Sequence, residues 1–140
     1  VEGILSWTMP FEAGELKAVG LKDGKAAAEV KLQTAGAAAR IELQRVAPTK
    51  DGIEQIAFFV VDAQGRRVPD AAQRLRFDPA GPLEILGIGN GNLADVDDPR
   101  DAEHAAYEGR GLAILRRTDK TQPARVRVSA PGLMPAELDL

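Results

Sequence analysis

The chain has 140 residues and a formal net charge of −3. This length allows one ordinary domain, or one domain and a fragment of another. Lysine and arginine are scattered among the acids, which argues against a nucleic-acid-binding protein with a clustered basic face. The absence of cysteine excludes a disulfide framework, thiolate chemistry and cysteine-bound zinc. No apolar run reaches ~18 residues, so no membrane insertion is predicted. The first residue is Val1, so we expect a piece of a longer chain.

The first part of the chain predicts a small β unit. Segment 3–10 has the pattern of a strand, in which Trp7 is expected to be buried in a core rather than exposed as a platform for a sugar. Strands over 16–21 and 27–33 follow. They are joined by Asp23-Gly24, a pair that favours a tight hairpin because both of its residues need positive φ.

Alanine runs at 26–28 and 37–39 offer a helical alternative, since alanine is the best helix former. Over 39–44, however, apolar and polar residues alternate strictly, which is the period of a strand. We therefore predict strands here, and a short linker at 34–37.

From residue 38 onward the sequence predicts a β-sandwich, because short strand patterns are separated by turns rich in glycine, proline and aspartate. Aromatic residues make up only 4% of the chain, so the core should be aliphatic with Phe58, Phe59 and Phe77 as its large members. The predicted strands cover 40–46, 55–62, 74–77, 84–88, 111–116, 124–129 and 137–140.

The segment Gly87-Ile88-Gly89-Asn90-Gly91 leads into a long polar loop that extends to Gly109. Its glycines match a phosphate-binding loop only superficially, because neither a third glycine in register nor a lysine follows. A strand that bends out of a sheet through positive-φ residues is the better interpretation. A helix of one or two turns is predicted around 101–107, after Asp98. Long loops in compact domains are often functional.

This loop contains the candidate site residues. Its closely spaced amide and carboxylate oxygens are ligands that calcium prefers, although the spacing is not that of an EF-hand and a solvated or capping acidic loop is the alternative. His104, the only histidine, is expected at the surface, and Tyr107 could stack on a sugar. No carboxylate pair is marked for glycoside hydrolysis, so no catalytic or cofactor-binding residue is predicted. The candidate cation ligands are Asn90, Asn92, Asp95 and Asp97.

Two blocks of sequence resemble the C-terminal end of glycoside hydrolase family 2 enzymes of the β-galactosidase type. The first is similar to the end of the Ig-like domain that follows their catalytic barrel, and the second to a further C-terminal Ig-like domain. The first block comprises Trp7 to Gly20, Lys22-Asp23-Gly24-Lys25 and Thr34-Ala35-Gly36; the second comprises Phe59 to Ala71, Gly87 to Asn92 and Gly109 to Ala113.

The resemblance implies an all-β chain: residues 1–36 as the C-terminal part of an Ig-like β domain, and residues 37–140 as an Ig-like antiparallel β-sandwich. It also implies a non-catalytic accessory region, without a cofactor, that packs on the catalytic barrel, on other β domains of its own polypeptide or on a partner subunit. The family's catalytic acids lie in a barrel that these residues do not include, so none is transferred to this chain. A bacterial protein of the periplasm or the cell exterior is expected.

Two other functions stay open from the sequence. A carbohydrate-binding module would need exposed aromatic side chains, of which this chain has few. An adhesin-type Ig-like spacer would share the turn pattern Asp62 to Ala71, which also occurs in bacterial surface repeats.

Overall fold

The computed structural model describes residues 6–48 and 51–140. This part of the chain contains ten strands and no helix. No helix long and apolar enough to cross a membrane occurs in it. The chain divides into two compact units, Val1–Thr34 and Ala35–Leu140.

The first unit is an antiparallel hairpin of β1 (Glu15–Lys22) and β2 (Lys25–Gln33). The turn residues Asp23 and Gly24 have φ values of 51° and 75°, as the Asp-Gly pair predicted. The two faces of this hairpin differ. On one face, Lys17 lies 2.8 Å from Glu29 as an ion pair, whereas on the other leucine faces leucine across the strands and alanine faces valine.

The strand predicted over 3–10 is wrong for its described part, because residues 6–10 form no strand; residues 3–5 lie outside the described residues. The predicted burial of Trp7 is also wrong, since 74% of this residue is exposed. The physical reason is that the described part of this unit is a single two-stranded layer, and one layer cannot enclose a tryptophan.

The second unit is the predicted antiparallel β-sandwich. Sheet I has the strand order β3-β4-β8-β6, and sheet II has the order β10-β9-β5-β7. Their strands are β3 (Arg40–Pro48), β4 (Ile53–Val61), β5 (Arg74–Ala80), β6 (Leu83–Gly89), β7 (Glu103–Ala105), β8 (Arg110–Arg117), β9 (Arg125–Ser129) and β10 (Ala136–Asp139).

Alternation of side chains builds the core between the two sheets. In β4, Ile56, Phe58 and Val60 are buried, and in β5 Phe77 is buried with them. The Phe58 and Phe77 rings meet edge to face, with centroids 5.2 Å apart. The expectation that Phe59 belongs to this core is wrong, because it is only half-buried and alternates with the inward residues.

The glycine-rich end of β6 contains the predicted bend. The ladder between β6 and β8 shifts register between Ile85 and Gly87, and Gly91 then has a φ of 82°. The helix predicted around 101–107 is wrong: Glu103–Ala105 forms β7, which pairs with β5 at the edge of sheet II. Pairing with β5 satisfies backbone N–H and C=O groups of this segment, and this outweighs the helix propensity of its alanines.

Candidate functional site

The long loop after β6 is held in shape by its own side chains. The side-chain oxygen Oδ1 of Asn90 accepts from the Asn92 N–H at 2.9 Å, and Oδ1 of Asn92 accepts from the Ala94 N–H at 3.0 Å. Asp95 and Asp98 accept in the same way from N–H groups two residues further on. Such turns satisfy the backbone without helix or sheet, so this loop has a fixed conformation despite its irregular path.

A polar network beneath the loop ties it to sheet II. The Asn90 side-chain amide donates to the Asp95 carboxylate at 2.6 Å and to the Ala105 carbonyl at 3.0 Å. Nε2 of His104 lies 3.1 Å from the same Asp95 oxygen. The N–H of Asp97 is the largest cause that lowers the pKa of Asp95, and Asn90 and His104 lower it further against the opposing effect of burial.

The expectation that His104 lies at the surface is wrong, because only 3% of it is exposed. It is the central residue of β7 and pairs in register with Leu75 of β5, so its side chain leaves the sheet on the core side. Its Nδ1 is buried with no hydrogen-bond partner. Nothing in the local sequence marked this burial, since β7 is short and only its pairing with β5 defines it.

Asp95, Asp97 and His104 each offer a ligand atom within 4.8 Å of the others, so three residues of this loop could hold a metal ion. Two carboxylates and an imidazole would suit a transition metal better than calcium. However, Asp95 already accepts from the Asp97 N–H, the Asn90 side chain and His104, and an Asp97 oxygen accepts from Arg74 at 2.9 Å. A ligating histidine also normally donates its second nitrogen to an acceptor, which His104 lacks. The geometry therefore favours a hydrogen-bonded network that holds the loop against sheet II over a metal site.

The structure thus brings together only some of the four residues predicted to bind a cation. Asn90 and Asp95 are bonded to each other and Asp97 lies beside them, whereas the Asn92 side chain caps its own turn. Cation binding itself stays a prediction.

Asp62 forms a second buried junction that sequence inspection missed. Its carboxylate accepts from the N–H groups of Gly36 at 2.8 Å, Gln64 at 2.9 Å and Arg66 at 2.8 Å. The Gly36 N–H is the largest cause that lowers the pKa of Asp62 to about 2, with burial opposing it and the other two N–H groups assisting. The junction joins the turn after β4 to the segment before β3, which is a structural role. The turn sequence Asp62 to Gly65 could have indicated this role, because aspartate at the start of a turn often accepts hydrogen bonds from N–H groups that follow it.

The two candidate sugar-stacking residues lie in different units. Tyr107 is 41% exposed in the turn before β8, where its N–H donates to the Arg110 carbonyl at 3.1 Å. Trp7 belongs to the other unit. One open depression in the second unit, of about 290 Å³, is bordered by Arg125 and Asp139, whose side chains pair with each other at 2.6 Å. Within the described part of the second unit Tyr107 is the one exposed aromatic side chain, so this unit offers no row of aromatic rings for a sugar.

Residues 39–139 match the family of the glycoside hydrolase family 2 C-terminal domain 5. This chain belongs to that family. The resemblance drawn from the sequence is thereby confirmed, and the sandwich is a C-terminal domain of the kind found in family 2 proteins.

Longer relatives contain both units of this C-terminal region. The β-galactosidase BoGH2A of Bacteroides ovatus is 30% identical over 97% of this chain, which spans 16% of that protein. A family 2 glycosyl hydrolase of Bacteroides cellulosilyticus has a TM-score of 0.88 at 25% identity, over 96% of this chain and 19% of its own. A β-glycosidase of Bacteroides vulgatus has a TM-score of 0.82 at 26% identity, over 96% and 18%. The chain therefore spans less than a fifth of these relatives.

Proposed function

We propose that this chain is a non-catalytic, architectural part of a longer family 2 glycoside hydrolase of the β-galactosidase type. The match of residues 39–139 to a C-terminal domain of that family is the observation that carries the proposal. In this role the sandwich packs on the catalytic barrel, on other β domains of the same polypeptide or on a partner subunit. The protein would act in the periplasm or outside a bacterial cell.

The hairpin unit supports this role. Leu16, Val30 and Leu32 are 46%, 61% and 62% exposed, although they share the apolar face of the hairpin. An isolated two-stranded hairpin is marginal in water and needs a layer against its apolar face. We propose that residues 1–36 are the C-terminal part of an Ig-like β domain, whose other strands belong to the longer polypeptide and supply that layer.

The test of the proposed function uses the purified chain beside the longer protein that contains it. We expect the chain alone to release no nitrophenol from a nitrophenyl β-galactoside, while the longer protein does. Turnover by the chain itself, after removal of contaminating enzyme, would contradict the architectural role.

The alternative functions predict different results for the same sample. A carbohydrate-binding module would be retarded in affinity gels that contain polysaccharide, and we expect no retardation. An adhesin-type spacer would be encoded within tandem repeats, whereas the architectural role requires an adjacent barrel with two catalytic glutamates.

A further inference from the structure

The outer face of sheet II carries exposed charged side chains that form ion pairs. Arg125 of β9 pairs with Asp139 at 2.6 Å and with Glu137 at 3.1 Å, both on β10. Arg76 of β5 pairs with Asp78 at 2.9 Å. These outward charged residues alternate with buried or half-buried apolar ones along β5, β9 and β10, as expected for an antiparallel sheet with one solvated face.

The outer face of sheet I departs from this pattern at its centre. The inward residues of β8, Ala113 and Leu115, are buried in the core, yet the residues that alternate with them are Leu112 and Ile114. In the neighbouring β4, the outward positions include Ala57, directly opposite Leu112 in the ladder. We call the outward-facing set of Ala57, Phe59, Leu112 and Ile114 the outer apolar patch.

Strands that are apolar on both faces are typical of sheets covered on both sides. The outer apolar patch lies on the two central strands of sheet I, so the strands beside it do not cover it. Its members are half-buried. The sequence of β4 and β8 thus predicts a second covering layer, which the described residues of this unit do not place there.

Charges around the outer apolar patch balance one another. Arg110 lies 3.5 Å from Glu108, and Arg40 lies 2.6 Å from Glu42. A surface with locally paired charges selects neither a strongly acidic nor a strongly basic partner. The complementary surface is therefore apolar and without excess charge.

The size of the patch distinguishes between a second copy and the rest of the same polypeptide. Because its four side chains are partly buried, together they expose roughly 200 Å² at most, whereas a stable complex needs ~800 Å² on each partner. Covalent attachment supplies a high effective concentration, so a contact too small to hold two separate molecules together can persist within one polypeptide. The relatives are more than five times as long as this chain, which leaves ample polypeptide to cover it.

We propose that the outer apolar patch of sheet I is the surface by which this domain docks on an apolar, uncharged surface of the remaining polypeptide. The inference rests on the proposed function and assigns one face of the sandwich to it. The charged outer face of sheet II stays in contact with water.

Hydroxyl-radical footprinting compares the isolated chain with the longer protein that contains it. We expect oxidation of Phe59, Leu112 and Ile114 to fall in the longer protein to the level of the buried Phe58 and Phe77. Unchanged oxidation of the three patch residues would overturn the docking surface. If another surface of the chain is protected instead, the architectural role stands while this assignment falls; if no surface is protected, both fall.

A variant pair tests the same surface by stability. Leu112→Thr with Ile114→Thr places β-branched threonine, which favours strands, at both outward positions of β8, so the isolated chain is expected to retain its thermal transition. In the longer protein the same change should release the domain, seen as a separate transition at lower temperature. Arg76→Thr with Arg127→Thr on the outer face of sheet II is the matched control and should not release it. Equal effects of the two pairs in the longer protein would contradict the proposal.

Discussion

Gly111 of β8 occupies a position where the fold has no room for a side chain. It lies opposite Phe58 of β4 in the ladder. A Cβ added to Gly111 would approach Cε1 of Phe58 at 2.6 Å and Cε2 at 2.8 Å, closer than carbon atoms can come without displacement. The ring cannot retreat, because Phe58 is fully buried and packs edge to face on Phe77.

We therefore predict that Gly111→Ala lowers the free energy of unfolding by about 1–3 kcal/mol, the usual cost of overpacking a dense core. For a domain near 100 residues this corresponds to a fall in Tm of about 4 °C per kcal/mol. Chemical denaturation followed by circular dichroism measures the first quantity, and calorimetry measures the second. Both transitions should stay cooperative.

Gly89 of β6 is the matched control. It also lies in a strand of sheet I with an ordinary φ, but an added Cβ there meets nothing within 4 Å. Gly89→Ala is expected to change stability by less than about 0.5 kcal/mol. In addition, Phe58→Leu should relieve the clash, so that the double variant Phe58→Leu/Gly111→Ala is less destabilised than the sum of the two single changes. A neutral Gly111→Ala, or strict additivity with Phe58→Leu, would refute the steric reasoning.

Three further predictions concern the polar junctions and the loop. The pKa of Asp62 is lowered from 3.8 to about 2, so its contribution to stability is complete above about pH 4 and is lost as pH falls towards 2. Asp62→Asn should therefore flatten the dependence of Tm on pH in that range. An unchanged slope would exclude the Asp62 junction as the cause of the pH dependence. Because the oxygens of Asp95 and Asp97 already accept hydrogen bonds, added calcium should leave Tm unchanged, whereas a saturable rise would show that the loop binds the ion. Leu93 is fully exposed on the loop, so Leu93→Ser should change the free energy of unfolding by less than about 0.5 kcal/mol. Leu115 is buried in the core, so Leu115→Ala should lower it by about 2–5 kcal/mol in denaturant unfolding. Similar values for the two variants would mean that burial does not set the difference.

Local patterns were sufficient where a strand carried its own signal. The alternation over 39–44 indicated the strand that became β3, and the Asp23-Gly24 pair indicated the hairpin turn. The change of direction after β6 agrees with the glycine-rich segment, since Gly91 has a φ of 82°. Such features depend on neighbouring residues, which the sequence displays directly.

Other residues were misplaced because their surroundings come from distant parts of the chain. His104 is buried only because β7 joins the edge of sheet II, and the three residues of that strand carry too weak a pattern to show it. Phe59 was assigned to the core by its size, although the pleat directs it outward. Trp7 was assigned to a core that a two-stranded unit does not have.

The sequence alone determined that this chain is built of strands, where most of them run, and which family it resembles, because strand period, turn chemistry and motif order are local properties. Only the tertiary structure decided which side chains share a site: it joined Asn90, Asp95 and His104 in one network, tied Asp62 to Gly36, and left one outer face of the sandwich apolar. The physical reason is that sheet register and edge pairing bring together residues far apart in the chain, and neither is written in any single segment.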